Sequence, residues 1–131
     1  MALLATAANA MLDALLGAAH DTDVPGTLYL ALSTTDPNAS LTEPSVGGYA
    51  RASVANDGTM WPAASAGSKS NGVAVLLPEA TADYPQVGWF ALCDALTAGN
   101  IVVSGALTAP VTVTTGLSPR FAAGTLIVTV G

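Results

Sequence analysis

Residues 87–93 read Val-Gly-Trp-Phe-Ala-Leu-Cys, an almost wholly apolar stretch without a charge. This composition is typical of a strand that is covered on both faces, so it predicts the centre of a β-sheet. Residues 28–32 read Leu-Tyr-Leu-Ala-Leu, in which leucine recurs at every second position. A period of two predicts a strand with one buried face. Together the two stretches indicate that a sheet organises the fold.

Further short apolar runs are separated by turn signals that are rich in Gly, Pro, Asn and Ser. They lie at residues 49–54, 72–77, 101–107, 111–115 and 125–130. We therefore expect a mainly β protein: an antiparallel β-sandwich or open barrel of about seven short strands. No linker or internal repeat divides the chain, so residues 1–131 are predicted to form a single β-rich domain.

The chain starts with a segment of helical period. Leu4, Met11, Leu12 and Leu15 recur at spacings of three, four and seven, and alanine fills much of the remainder. This pattern predicts an amphipathic helix over about residues 2–19, added to the sheet as an appendage or a lid. Its apolar face is expected to pack on the chain's own sheet or on a neighbouring subunit, which makes these four residues candidate interface residues.

The charge content is unusually low for a protein of this size. Only 9% of the 131 residues are charged, against about 25% in typical soluble domains, and the net charge is -6. Charge keeps protein surfaces apart, so a chain this poor in it is expected to cover its surface with other subunits. With three cations in all, the chain lacks the basic patch that nucleic-acid binding requires. No apolar run reaches the ~20 residues of a membrane span, and no signal peptide is recognisable.

Catalytic and metal-binding signals are weak. His20 is the only histidine, so it is the only candidate for the base of a catalytic triad. No nucleophile elbow, phosphate loop or dinucleotide fingerprint occurs in the sequence. His20 with Asp21 and Asp23 offers too few ligands for a zinc or calcium site. Cys93 is the only cysteine and is interpreted as a small core residue. We expect no enzymatic activity, no cofactor and no resident metal.

Three further residues are candidates for contacts between subunits. Trp61, in a Pro-containing loop, either caps the open end of the sandwich or anchors a neighbour. Tyr49 and Arg51 follow a Gly-Gly hinge, and an arginine so isolated is expected to meet a carboxylate, with a neighbouring subunit as one possible source. The loop at 34–48 exceeds the usual connection length and is a second candidate contact surface.

Several stretches carry a family resemblance when they are taken in order. After the alanine-rich first segment come Gly-Thr-Leu-Tyr-Leu-Ala-Leu-Ser-Thr at 26–34, Gly-Gly-Tyr-Ala-Arg at 47–51 and the Trp61 loop. Ser-Asn-Gly-Val at 70–73, Leu-Pro-Glu-Ala-Thr at 77–81, Val-Gly-Trp-Phe-Ala-Leu-Cys-Asp-Ala at 87–95 and Phe-Ala-Ala-Gly-Thr-Leu at 121–126 follow. The sequence resembles a group of small virion proteins of tailed bacteriophages, whose members are described as tail-fibre-like or as capsid decoration proteins.

The resemblance implies a non-enzymatic building block of the virion that is made in the host cytoplasm. Because the chain is short and without repeats, we expect a capsid decoration (cement) protein, a homotrimer that binds the outer face of the major capsid protein lattice. Linked weak contacts would give such an oligomer its avidity. The first alternative is a tail-tip or tail-fibre component that contacts the host. A carbohydrate-binding β-sandwich module, with Trp61 stacking on a sugar, is the alternative from another class.

Overall fold

The computed structural model describes residues 5–129 of the chain. It begins with one helix, α1, and continues with eight short strands in that range. The elements are α1 (Ala5–Leu15), β1 (Thr27–Ser33), β2 (Ala52–Ala55), β3 (Ser68–Ser70), β4 (Val75–Leu76), β5 (Val87–Cys93), β6 (Ile101–Val111), β7 (Arg120–Phe121) and β8 (Ile127–Thr129).

The main sheet contains the two stretches that open the sequence analysis. Its strand order is β2-β1-β5-β6, and every neighbouring pair is antiparallel. Leu30 of β1 lies opposite Leu92 of β5, and Ala31 lies opposite Ala91. The central position predicted for residues 87–93 is therefore confirmed, since β5 pairs with a strand on each side.

One face of this sheet supplies most of the hydrophobic core. The alternating leucines of β1 are completely buried there, together with Phe90 and Leu92 of β5. The other face carries small residues, Ala31, Ala91 and Cys93, and the loop between β1 and β2 covers them with Leu41. Cys93 is thus a buried core residue, as predicted. Small side chains on this second face let the loop backbone approach the sheet closely.

Two ribbons of two strands complete the fold. β3 pairs with β8 and β4 pairs with β7, again antiparallel. β8 packs beside β6, and β4 lies near β2, so the three sheets surround one core. This arrangement confirms the prediction of a mainly β, antiparallel sandwich or open barrel with one N-terminal helix.

The helix is shorter than predicted. It ends at Leu15 rather than near residue 19, and the start predicted at residue 2 lies outside the described residues. Gly17 has φ of 103°, a left-handed conformation that cannot continue an α-helix and that glycine adopts most readily. Asn56 holds this end: its Oδ1 accepts the Gly17 N–H at 2.8 Å and its Nδ2 donates to the Leu15 carbonyl at 3.1 Å.

Two strand predictions also differ from the structure. The strand expected at 101–107 is longer, since β6 continues through Pro110 to Val111. The separate strand expected at 111–115 is not formed, because residues 112–115 lie outside every strand. Proline lacks a backbone donor, and β6 tolerates it because it is an edge strand of its sheet. Strand β3, Ser-Lys-Ser, lies within a stretch that the sequence predicts to be loop, since only its pairing with β8 makes this polar segment a strand.

Candidate functional site

The predicted interface residues of α1 divide between the core and the surface. Leu12 is only 1% exposed and belongs to the main core cluster, and Leu15 is half-buried against it. Met11 is 51% exposed. Leu4 lies outside the described residues. Of the described three, Met11 therefore presents the most surface to another molecule, whereas Leu12 is used within the subunit.

Polar contacts attach the helix to the β-structure. Asn9 Oδ1 accepts the Gly67 N–H at 2.8 Å. Asp13 Oδ1 accepts Lys69 Nζ at 2.6 Å and the Ala64 N–H at 2.9 Å. The Lys69 hydrogen bond, followed by that from Ala64, lowers the pKa of Asp13 below its ordinary value. The helix is consequently an integral part of the subunit and not the appendage or lid that the sequence suggested.

Arg51 lies at the centre of the most elaborate polar cluster. Its Nε and Nη2 donate to the two carboxylate oxygens of Glu43, each at 2.9 Å. Its Nη1 donates to the carbonyls of Ala95 at 2.7 Å and Ala98 at 2.8 Å. The expected carboxylate partner therefore exists, but it is Glu43 of the same chain and not a residue of a neighbouring subunit. The forked guanidinium matches a carboxylate in this two-point geometry.

Tyr49 joins this cluster to the main sheet. Its hydroxyl donates to Glu43 Oε1 at 2.7 Å and accepts the Leu32 N–H at 3.0 Å. β2 begins opposite Leu30, so the hydroxyl satisfies a backbone donor of β1 beyond the end of its neighbour. The Tyr49 ring is half-buried and packs edge-on against Tyr84, with 5.9 Å between the ring centroids. This residue is therefore a structural link across the 34–50 segment.

The surroundings of the cluster favour the ionised form of Glu43 and the neutral form of Tyr49. Burial alone would raise the pKa of Glu43, but the hydrogen bonds from Arg51 and Tyr49 outweigh it and hold this pKa below its ordinary value. Burial, and then the neighbouring Glu43 carboxylate, raise the pKa of the Tyr49 phenol well above its ordinary value. Glu43 is thus ionised and Tyr49 protonated at neutral pH, and the lowered pKa makes Glu43 a weaker base than an ordinary carboxylate.

The structure decides between the two interpretations of Trp61 and places Trp89 on the sheet. Trp61 is only 1% exposed and packs in the main core cluster, so it caps the structure from within and presents no surface for anchoring a neighbour or stacking on a sugar. Residues 87–93 were predicted to be covered on both faces, but Trp89 within this strand is only half-buried. It lies on the second face of the main sheet, the face opposite Phe90, because side chains alternate along a strand.

The titratable side chains near His20 do not form a metal-binding cluster within residues 5–129. His20 Nδ1 donates to the Asp21 carbonyl at 2.9 Å, next to its own position in the turn after α1. Within residues 5–129, no group of three or more His, Cys, Asp or Glu side chains is arranged to hold a metal ion. None of the helices in that range is long and apolar enough to cross a membrane.

Several open grooves and exposed apolar side chains remain on the described surface, and two of these features lie at the ends of β6. The first is an open groove of about 290 Å³ between the end of β6, residues 107–111, and the segment 119–122 that contains β7. Its lining is mainly apolar, with Arg120 among the lining residues. The second is the turn between β5 and β6, residues 94–100, where Leu96 is 53% exposed. Neither feature stands out in the sequence, because both depend on which side of the chain the fold leaves open.

Comparison of the sequence with known proteins bears on the family to which the chain belongs. A search of curated proteins found no significant match. The family model described as podophage GP4 fiber I protein gp80 matches residues 2–129, nearly the whole chain. This agrees with the resemblance to tailed-phage virion proteins that the sequence motifs carry, and with the β-rich fold. The chain belongs to the podophage GP4 fiber I protein gp80 family and is a phage structural protein.

Proposed function

We propose that this protein is a non-enzymatic subunit of the phage tail fibre, present on the virion as a homo-oligomer. The family match over residues 2–129 carries the proposal, because its description names a fiber protein. Its charged groups are compatible with the same role, since the buried Arg51 and Lys69 side chains are engaged in ion pairs with Glu43 and Asp13 of the same chain.

The surface composition supports assembly with other copies. Large apolar side chains are at least 37% exposed at seven described positions, which are Met11, Val46, Val73, Leu76, Leu96, Ile101 and Leu117. With only 9% charged residues, the chain has few groups that would keep such positions hydrated and apart. We propose a homotrimer, in which each copy covers part of this apolar surface.

Capsid decoration is the second candidate. The observation that favours it is size: one core with strands of two to eleven residues has neither the length nor the repeat of a fibre shaft. A trimer on the outer face of the major capsid protein lattice would use the same apolar surfaces. The carbohydrate-binding alternative is the weakest, because Trp61, its stacking residue, is buried.

Electron microscopy of virions labelled with antibody against this protein tests the location. We expect label on the tail, and we expect particles made without the protein to keep an unchanged capsid surface while they lose tail density and adsorb poorly to the host. Label distributed over the head, with missing density at capsid threefold positions, would overturn the fibre proposal in favour of decoration. Absence of label from the whole virion would contradict both.

A further inference from the structure

The groove beside Arg120 lies between two strands that each have only one partner strand. β6 is an edge strand of the main sheet and pairs only with β5, whereas β7 pairs only with β4. β6 is irregular here: Val111 lies opposite Val87 and Ala106 lies opposite Trp89, so residues 107–110 have no partner in β5. The groove is lined by these residues and by the 119–122 segment. Unpaired strand sides with apolar lining are a recurrent place of contact with another chain.

Arg120 gives this groove a positive charge, and it is the one exposed side chain among the three Lys and Arg residues of the chain. The other two cations, Arg51 and Lys69, are buried and held by Glu43 and Asp13. Arg120 is exposed and takes part in neither of these ion pairs. Against a net charge of -6, the groove therefore favours an apolar partner segment that carries a carboxylate, and other copies of this chain are rich in carboxylates.

The 94–100 turn has the complementary properties. Leu96 projects from it and is 53% exposed, and Asp94 supplies a carboxylate at its base. The turn is fixed in shape: Arg51 binds the carbonyls of Ala95 and Ala98, and Asp94 Oδ1 accepts the Asn100 N–H at 2.7 Å. A segment ordered before binding loses little conformational entropy when it docks, which favours its use as a contact.

The groove and the turn lie at opposite ends of β6. The turn leads directly into Ile101, and the groove begins at Leu107 and extends to Val111. At about 3.3 Å per residue, the two ends of this strand are roughly 30 Å apart. A contact between the turn of one copy and the groove of another therefore joins different surfaces, and it generates a ring or a filament according to the rotation between copies.

We propose that copies of this chain join head to tail, with the 94–100 turn of one copy in the groove beside Arg120 of the next. Leu96 packs against the apolar lining, and Asp94 lies near Arg120. The inference rests on the proposed homo-oligomeric role and identifies the surfaces that would form it. It also gives a role to the hydrogen bonds by which the buried Arg51 fixes the shape of the 94–100 turn.

Sedimentation velocity of single-site variants tests the contact. Leu96→Lys places a cation against Arg120, and Ala109→Trp fills the groove. We expect each to weaken self-association about tenfold or more, the effect of losing one well-packed apolar anchor. Val73→Lys and Ala55→Trp make matched changes at exposed positions outside both surfaces and should assemble like the wild type. Circular dichroism of all four variants serves as the check that each keeps the fold.

A mixing experiment distinguishes a head-to-tail contact from a symmetric one. Leu96→Lys retains an intact groove and Ala109→Trp retains an intact turn, so the mixture restores one contact and should give a dimer of the two variants and nothing larger. Wild-type-like assembly of both variants would overturn the proposal, and so would a mixture without a dimer or a wild type that stays monomeric at every soluble concentration. Antibody labelling of virions is independent of these results, so failure of the contact and failure of the proposed location are distinguishable.

Discussion

At the scale of single residues, Arg51 determines the arrangement of three separate segments. Its guanidinium connects the loop at Glu43, the start of β2 and the turn at Ala95 and Ala98. The residue is 7% exposed and the Glu43 side chain is 24% exposed, so water can replace these partners only in part if the arginine side chain is removed. Loss of one member of a buried pair leaves the other charge and its acceptors unsatisfied, and that penalty is larger than the net value of the pair itself.

Replacing Arg51 by Met should therefore lower the free energy of unfolding by about 3 kcal/mol. Urea denaturation followed by circular dichroism measures the difference. Arg120→Met is the matched control: Arg120 is exposed, and its loss should change stability by no more than about 0.5 kcal/mol. Equal effects of the two substitutions would contradict a structural role for the Glu43–Arg51 pair.

The lowered pKa values of Glu43 and Asp13 predict a loss of stability in acid. A carboxyl whose pKa is depressed by folding stabilises the native state above its unfolded pKa, which is about 4 for these groups. That contribution disappears as the pH falls through the lower folded pKa. The melting temperature should therefore drop between about pH 5 and pH 2.

The double variant Asp13→Asn, Glu43→Gln should be less stable at neutral pH and should show a shallower decline over this acid range. Thermal melts at a series of pH values provide the measurement. A double variant whose melting temperature falls as steeply as that of the wild type would assign the acid sensitivity to other carboxylates.

At the scale of elements, α1 behaves as part of the core and not as a separate arm. Ala8 and Leu12 of α1, and Leu16 directly after it, are each at most 3% exposed. Polar contacts from Asn9 and Asp13 fix its orientation, and Gly17 and Asn56 determine where it ends. The helix therefore contributes to the stability of the subunit whether or not its exposed side also contacts a neighbour.

Truncating the buried face of the helix should destabilise the whole subunit. Leu12→Ala should cost about 3 kcal/mol of unfolding free energy, through lost burial and the cavity left behind. Met11→Ala removes an exposed neighbour of similar size and should leave the stability of the subunit nearly unchanged. Chemical denaturation of both variants gives the comparison, and a neutral Leu12→Ala would show that the helix does not belong to the core.

The end of the helix depends on a conformation that other residues do not readily adopt. A Cβ at position 17 would lie 2.6 Å from the Trp61 carbonyl oxygen, at φ of 103°. Gly17→Ala should therefore lower the unfolding free energy by more than about 1 kcal/mol. Gly26→Ala is the control, because a Cβ there meets no atom within 4 Å and the backbone is not left-handed. Similar melting temperatures for the two variants would contradict this account.

At the scale of the whole molecule, one core cluster includes residues from α1, from β1, β2, β4, β5, β6, β7 and β8, and from the loop that contains Met60 and Trp61. Because the three sheets share one core, we expect that none of them can unfold while the others stay intact. A single domain over residues 1–131 stays a prediction, and cooperative unfolding is its test.

We therefore predict one cooperative unfolding transition. The two tryptophans report on different places, since Trp61 is buried in the core and Trp89 is half-exposed on the second sheet face. Fluorescence of Trp61→Phe and Trp89→Phe variants isolates each signal, and both should coincide with the circular dichroism transition of the same variant. Transitions separated along the denaturant axis would contradict a single cooperative domain.

Sequence reasoning predicted the sheet well but the polar contacts poorly. The leucine period of β1 and the apolar run of β5 are local patterns, and each is sufficient to indicate a strand and its buried face. β3 and the continuation of β6 through Pro110 depend instead on which strand lies beside them. Arg51 was predicted to find a carboxylate, and Glu43, the only charge between residues 37 and 50, was the available signal for its partner.

The sequence by itself determined the fold class, the central strand, the low charge content and the phage family, because each of these follows from composition or from local sequence patterns. Only the tertiary structure decided that Trp61 belongs to the core, that Arg51 is held within its own chain, and that a groove stays open beside Arg120. Those outcomes depend on which distant segments meet. Local preferences do not encode such meetings, since the burial of a side chain is a property of everything that packs around it.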